Sequence, residues 1–583
     1  MGDESLYFPE DLQNVETPWG NAKKYEMWDG GIGFICIETS IKFQYGHAPH
    51  NGPRPSRRDG IRPGLYRTLS PSIPFLPEEN WMNDPSGLLY HSGTYHLFFQ
   101  YNPGGSEWGN MSWGHATSRD LIHWDERPVA LLARGYPDTV TEMYFTGSAV
   151  ADVNNTSGFG VDGKVPLVAM YTSMYPVAQD LPSGKHVRAE QQSQSIAYSL
   201  DEGETWTTYD AENPVIHNPP SPYEDEFINF RDPFVFWHDD TQKWISVTVV
   251  AAIHKILIFS SDNLKEWSFI SEFGPYNAVG GVWECANLFQ MPVEGDPSTK
   301  KWVLVLGLNP GGPPGTVGSG TQYFIGDFDG TTFKADSDNV YPDNKSANWM
   351  DFGPDFYAAA SYNGLPDGEV IQIAWMNNWQ YGALIPTSPW RSAMSVPRHL
   401  SLKTVNEKVT LLQQPQQSWR TVADHKAAKH SWESVSEGTT SLDSPGKAFK
   451  IDLSFADHDS DDSLASTFAI AVRASSDFKQ ETLIGYNFTS KEMFVDRQHS
   501  GDVSFDKTFA SLYHAPLSAS ADKRINLQVF VDWSSVEVLG GQGEVSLTAQ
   551  IFPEESATEA QLVSTDGTTQ DVRLQITGMS SSH

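Results

Sequence analysis

The chain has 583 residues, 12% of them aromatic with 19 Trp, against only 19% charged, which excludes a disordered or fibrous protein and leaves room for at least two domains. Its 39 basic and 73 acidic residues give a formal net charge of −34; no Lys/Arg cluster interleaved with aromatics offsets it, so nucleic acid is excluded as a partner. Two cysteines, Cys36 and Cys285, rule out a disulfide framework and a CxxC metal motif and read as free buried thiols, and no apolar run reaches the ~18 residues that cross a membrane.

Residues 1–70 differ from the rest. The first stretch, MGDESLYFPEDLQNVE, is acidic and has no apolar segment of the kind a secretory signal needs. HNGPRPSRRDGIRPG (50–64) has the composition of a loop or linker, and GFICIETSIKF (33–43) reads as a lone strand. Asn-x-Ser/Thr sequons at Asn110, Asn154, Asn155, Asn344 and Asn487 point the other way, toward secretion. The two signals conflict.

From 71 to 410 the pattern is all-β. Short segments rich in Val, Ile, Tyr, Phe and Trp, such as GLLYHSGTYHLFFQYN (87–102), PLVAMYTS (166–173), KWISVTVVAA (243–252), KWVLVLGL (301–308) and VIQIAWMNNW (370–379), are split by Gly, Asn, Asp and Pro. None keeps a helical apolar period over three turns. A weak repeat runs through them: SRDLIHW (118–124), SLDEGETW (199–206), SDNLKEW (261–267) and, more loosely, GDFDGTTF (326–333). Each interval holds about four strands, the content of one propeller blade, and about five blades fit. A large β-sandwich competes, but a long-period repeat favours radial symmetry. A polar stretch follows, read as a linker over 411–435. Strand-like segments resume in 436–583 (KAFKIDLSF, STFAIAVRA, ETLIGYNF, RINLQVFVDWSSVEVLGG, SLTAQIFP) and read as a β-sandwich. That sandwich is expected to brace the propeller rather than bind sugar.

Three acids stand in unusual contexts. Asp84 lies in WMNDPSG, Asp232 in NFRDPFVFW and Glu284 in GGVWECANLF. An acid inside an aromatic strand is either desolvated and paired or functional. One Asp-Pro is most simply a strand or turn opening; three acids in three blade-like units can share one pocket, because the inner strands of a propeller meet at its axis. Paired carboxyls suit glycosidic-bond hydrolysis, in which one attacks the anomeric carbon and the other protonates the leaving oxygen.

These segments resemble the signature of glycoside hydrolase family 32, the invertase–inulinase family, and LLYHSGTYHLFFQYNPGG, TEMYFTGSAVADVNNTSGFG, LNPGGPPGTVGSGTQYF, NWMDFGPDFYAAA and WMNNWQYG strengthen the likeness, closest to the fungal exo-inulinase branch. The resemblance runs from Trp81 to near the C-terminus. It implies a five-bladed β-propeller followed by a C-terminal β-sandwich, and a retaining exo-acting β-fructofuranosidase with no cofactor, acting on fructan or sucrose. By motif, Asp84 is the expected nucleophile and Glu284 the acid/base. Asp232 is expected to bind fructose hydroxyls and to stay ionised beside Arg231. Trp283 and Cys285 are expected to desolvate Glu284. The implied fructose pocket comprises Asn83, Gln100, Trp108, Phe145, Thr146, Arg231 and Trp379. Without the likeness, Trp108 and Trp379 read as blade packing and Gln100 as a backbone-bonded amide.

The sequence departs from the family pattern at Ser86, at Ala286–Asn287 and at Thr146. These changes are expected to alter the competition between water and sugar for the intermediate. Two other functions stay open: a fructosyltransferase, told apart by its products at high sucrose, and a silent sugar-binding propeller, told apart by binding without release. No His pair has the spacing of a zinc helix, and isolated histidines such as His115 read as structural.

Overall fold

The structure is a computed structural model and describes residues 74–405, 407–424, 427–458 and 463–580. The expected leader, with GFICIETSIKF and Cys36, lies outside these residues. The described chain is a β-propeller followed by a β-sandwich.

Five strands line the propeller axis: β1 (Asn80–His91), β2 (Met143–Ala151), β3 (Phe230–His238), β4 (Val282–Glu294) and β5 (Tyr357–Ser361). Each touches the next, and β5 touches β1, so the ring closes. Antiparallel neighbours extend outward from each. β1 begins a sheet that ends at Trp124–Leu131, β2 one that ends at Thr207–Thr208, and β3 one that ends at Ser268–Phe273. β4 and β5 share a ten-stranded sheet joined through Arg398–Val405. β1 also pairs in parallel with Trp390–Arg391, which returns to it from late in the chain.

The repeat seen in the sequence is a turn. Its copies at 118–124, 199–206 and 261–267 join a third strand to an outer one, and the 326–333 copy does the same. In three of them an Asp or Asn carboxyl or amide oxygen caps the amides beyond it: Asp120 takes Ile122 N and His123 N, Asn263 takes Lys265 N and Glu266 N, and Asp329 takes Thr331 N and Thr332 N. These are side-chain-closed turns, which Asp and Asn form because their oxygens mimic a backbone carbonyl. The repeat is therefore local turn chemistry carried once per sheet.

The stretch expected as a linker, 411–435, contains paired strands. Lys408–Pro415 pairs with Arg398–Val405 in the propeller, and Ala428–Val435 pairs with Thr569–Gly578 in the sandwich. Its exposed faces carry Lys, Gln, Ser and Glu, which hid the strands from a reading by hydrophobic alternation. The sandwich is two six-stranded sheets around a core of Val, Ile, Leu and Phe.

Two buried ionic networks join the domains. Arg398 of the propeller donates to its own Asp351 and to Glu537 of the sandwich, both at 3.0 Å. Arg497 of the sandwich donates to Asp355 at 2.6 Å and to Tyr381 Oη at 2.9 Å. Removing one partner of such a group strands a buried charge, at a cost of about 3–5 kcal/mol.

Candidate active site

Each inner strand breaks its ladder register at one level. Near the acids the shifts fall between Met82 and Pro85 in β1, Phe145 and Gly147 in β2, Arg231 and Phe234 in β3, Glu284 and Asn287 in β4, and Tyr357 and Ala360 in β5, with a second shift farther along β1 (Ser86 to Leu89) and β4 (Pro292 to Val293). A bulge adds a residue and re-aims its side chain. Asp232, Cys285 and Ala358 hold left-handed φ values of 62°, 52° and 50°, a conformation that costs a non-glycine residue about 1–2 kcal/mol. The bulges bring the three acids together from three separate strands.

Asp84 is held by three donors. Thr146 Oγ1 donates to its Oδ2 at 2.7 Å, Asn83 Nδ2 to its Oδ1 at 3.1 Å, and Cys285 Sγ lies 3.5 Å from Oδ2. Asn83 is itself fixed by Trp81 Nε1, which donates to its Oδ1 at 2.8 Å. Burial, and then the charge of Glu284, push the Asp84 carboxyl above its ordinary range, while the three donors pull it down. Ser86 is buried and its hydroxyl lies 3.5 Å from the Asp84 carbonyl oxygen.

Asp232 is buried. Its Oδ2 accepts from Cys285 N at 2.9 Å, and Cys285 Sγ lies 3.7 Å away. Burial pushes its carboxyl up to about 7, with the charges of Glu284 and Asp84 adding and Arg231 opposing. Arg231 favours the charged form of Asp232, as its place in the sequence suggested, but burial outweighs it, so the expectation that Asp232 stays ionised is not met, and the hydrogen bonds of Arg231 go elsewhere. Its guanidinium donates twice to Glu284 Oε1, at 3.1 and 2.8 Å, and approaches Asp232 only to 3.9 Å. Adjacent side chains on a strand point to opposite faces, and the bulge between them changes which group each one meets.

The surroundings of Glu284 also differ from expectation. Trp283 faces away into the blade core, fully buried, and donates to Ala278 O at 3.1 Å. Glu284 instead lies between the Arg231 cation and Tyr357, whose hydroxyl donates to its Oε2 at 2.5 Å. Burial pushes the Cys285 thiol well above its ordinary value, so the sulfur is S–H and a donor beside both aspartates. Ala286 is buried, and Asn287 ties β4 to β5, donating to Ala359 O at 3.1 Å and accepting from Ser361 N at 2.9 Å.

The remaining expected residues gather at the same end. Trp108, Phe145 and Trp379 pack on an apolar cluster with Trp81, Cys285, Tyr357 and Trp375. Trp108 meets Phe145 edge-on at 6.1 Å, and Trp379 lies 5.9 Å from Trp81 and 4.9 Å from Trp375. Gln100 is buried on the strand that pairs with β1, opposite its bulge, and its Nε2 has no protein partner. Among the described residues no group of three or more His, Cys, Asp and Glu side chains is arranged to hold a metal ion. His115 stacks on Phe98 with ring centroids 4.2 Å apart and meets His96 at 3.1 Å, in a buried pair that burial holds uncharged.

Residues 75–415 match the family description "Glycosyl hydrolases family 32 N-terminal domain", and residues 417–578 match "Glycosyl hydrolases family 32 C terminal". The chain belongs to glycoside hydrolase family 32. This family 32 chain is 66% identical over 508 residues to an extracellular exo-inulinase of Aspergillus niger, covering 87% of itself and 94% of that protein. It is 43% identical over 504 residues to a levanase of Bacillus subtilis, covering 85% of itself and 68% of that protein. The crystal structure of an exo-inulinase from Aspergillus awamori superposes with a TM-score of 0.87 at 63% identity, covering 88% of this chain and 99% of that one. The family 32 chain is therefore a glycoside hydrolase with a propeller-plus-sandwich fold.

Some site residues escaped the sequence reading. Tyr357 had no signal beyond its place in NWMDFGPDFYAAA. Cys285 was read only as a desolvating neighbour.

Proposed function

We propose that this chain is a retaining, exo-acting β-fructofuranosidase that releases terminal fructose from inulin, levan or sucrose. The observation that carries the reading is the meeting of Asp84, Asp232 and Glu284 from three bulged inner strands, bridged by Cys285 and Arg231. The site lies at one end of a closed ring of strands, which suits the end of a chain better than its middle. The exo-inulinase, the levanase and an invertase of Debaryomyces hansenii, 42% identical over 356 residues, support the substrate class.

In this reading Asp84 attacks the anomeric carbon while Glu284 gives its proton to the leaving oxygen. Glu284 then takes a proton from water, which attacks the fructosyl–Asp84 ester and frees fructose. Thr146 and Asn83 donate to Asp84 and aim it. Asp232, held by Cys285 N, accepts hydrogen bonds from fructose hydroxyls as positive charge develops on the ring. Gln100 has an unused donor for a hydroxyl, and Trp108, Phe145 and Trp379 offer faces and edges to the sugar's C–H surfaces. Tyr357 and Arg231 hold both oxygens of Glu284 in place through its change of protonation.

Extracellular relatives and the exposed sequons at Asn154, Asn155 and Asn344 support secretion. The test is chromatography of products from inulin and from concentrated sucrose, with Asp84→Ala beside the wild type. Fructose alone, lost in the variant, supports the exo-hydrolase. Kestose-type sugars would make the chain a transferase, and binding without any product would make it a sugar-binding protein.

A further inference from the structure

We infer that Thr172 and Gln194 form a buried relay that positions Asp232, and that Thr172 is a positioning residue for the reaction proposed above. Neither residue touches the pocket. Thr172 lies on Leu167–Tyr175 and Gln194 on Gln191–Ser199, in the sheet that begins with β2, and both are fully buried.

Asp232 stands in a bulge with φ of 62° and Pro233 follows it, so the ladder to Lys243–Val250 breaks between Arg231 and Phe234. Its backbone N–H has lost its strand partner and needs another acceptor, since a buried unpaired amide costs about 1–3 kcal/mol. Thr172 Oγ1 is that acceptor, at 2.9 Å. A hydroxyl has one proton, and here it is spent on Gln194 Oε1 at 2.8 Å, so the oxygen's lone pairs are left for Asp232. The Gln194 amide is oriented in turn by its Nε2, which donates to Phe230 O at 2.9 Å. Phe230 lies two residues before Asp232 on the same strand. The relay therefore starts and ends on β3, spans its bulge, and leaves one arrangement of donors and acceptors.

Strained backbone persists only where its surroundings over-determine it. Asp232 meets that condition from two sides: Thr172 holds its amide from one sheet, and Cys285 N holds its carboxylate from another at 2.9 Å. Releasing the amide lets the bulge relax and moves the carboxylate relative to Asp84 and the sugar. A shift near 1 Å in a reacting group can cost on the order of 100-fold in rate.

The test is Thr172→Val, which keeps the shape and removes the acceptor, beside Thr172→Ser, which keeps the hydroxyl and removes a methyl. On a fructan of defined length, Thr172→Val is expected to lower kcat by roughly 10- to 100-fold, with the loss mainly in kcat and little change in KM. Thr172→Ser is expected to recover most of that loss. Thr172→Cys, with a weak acceptor of similar size, gives the same reading should the valine variant fail to fold. Near-normal kcat in Thr172→Val, or equal losses in the Val and Ser variants, overturns the relay and leaves only packing. Because the inference rests on the proposed role of Asp232, Asp232→Ala is measured alongside. If that variant turns over normally, the role of Asp232 itself falls; if it is inactive while Thr172→Val is normal, only the relay falls.

Discussion

The propeller axis and the sandwich core are both built from short antiparallel strands, and they spend those strands on opposite ends. In one sheet of the sandwich, Phe449–Ala456, Arg524–Val531, Ser535–Gly540 and Val545–Gln550 pair without a register shift, and their inward faces are mainly Phe, Ile, Leu and Val. At the axis every inner strand is bulged, three bulge residues hold left-handed backbone, and the side chains brought inward include carboxylates, a thiol and a guanidinium. Regular pairing maximises buried apolar area and cross-strand contact. Bulges give up ladder bonds and gain the freedom to aim single side chains from separate strands at one point. Side-chain bonds between inner and neighbouring strands, such as Thr172 to Asp232 and Asn287 to Ala359, make up for ladder bonds lost at the bulges.

The contrast breaks most sharply at Asp84. Asp84→Asn is expected to lower kcat by on the order of 10⁴-fold or more while the melting temperature holds or rises, measured by fructose release and calorimetry. A variant that lost both together would show that Asp84 is part of the scaffold. The opposite behaviour is expected of Phe455, fully buried in the sandwich core. Phe455→Ala should cost about 3–5 kcal/mol of stability in denaturant titration, with kcat per folded molecule unchanged at low temperature.

Tyr357 tests the boundary between the two designs. Tyr357→Phe removes the hydrogen bond to the Glu284 carboxyl, worth about 0.5–1.5 kcal/mol, and should lower kcat about tenfold with a small loss of stability. A further effect, seen only as pH changes, concerns Asp232, whose carboxyl is raised to about 7 in the fold. The folded state holds that proton more tightly than the unfolded chain does. The stability it contributes is full below about pH 4 and is lost as pH rises through about 7. Asp232→Asn keeps an oxygen for Cys285 N and cannot ionise, so its melting temperature should match the wild type near pH 4 and exceed it at pH 8. The rise from 3.8 to about 7 spans about three units, so the gain should be a few kcal/mol. A constant difference across that range would mean that the carboxyl is not desolvated.

Much of this was legible in the sequence because it is local. The Asp- and Asn-closed turns repeat as short motifs, and Asp84, Asp232 and Glu284 announce themselves as acids among aromatic residues. The pairings were not legible. A bulge re-aims the residues inside it, so counting alternate residues misplaces Asp232 and Cys285, and where Arg231 and Trp283 reach depends on the strands beside them. Thr172 and Gln194 are ordinary polar residues whose role exists only once two sheets meet. Ala428–Val435 was missed because its outer face is wet, and Lys408–Pro415 because buried Gln413 beside Leu411 and Leu412 breaks the apolar alternation.

The parallel pairing of Asn80 and Trp81 with Trp390 and Arg391 has a consequence for how the protein is made. The first inner strand finds that partner only after roughly 300 further residues have been synthesised, a contact of very long range that slows closure. A nascent chain that has not reached Tyr357 already contains Asp84, Asp232 and Glu284, yet it lacks the fifth inner strand and so has no ring to hold them together. On the proposed mechanism, a ribosome that stalls before that point releases all three of these carboxyl groups without the ring that brings them together.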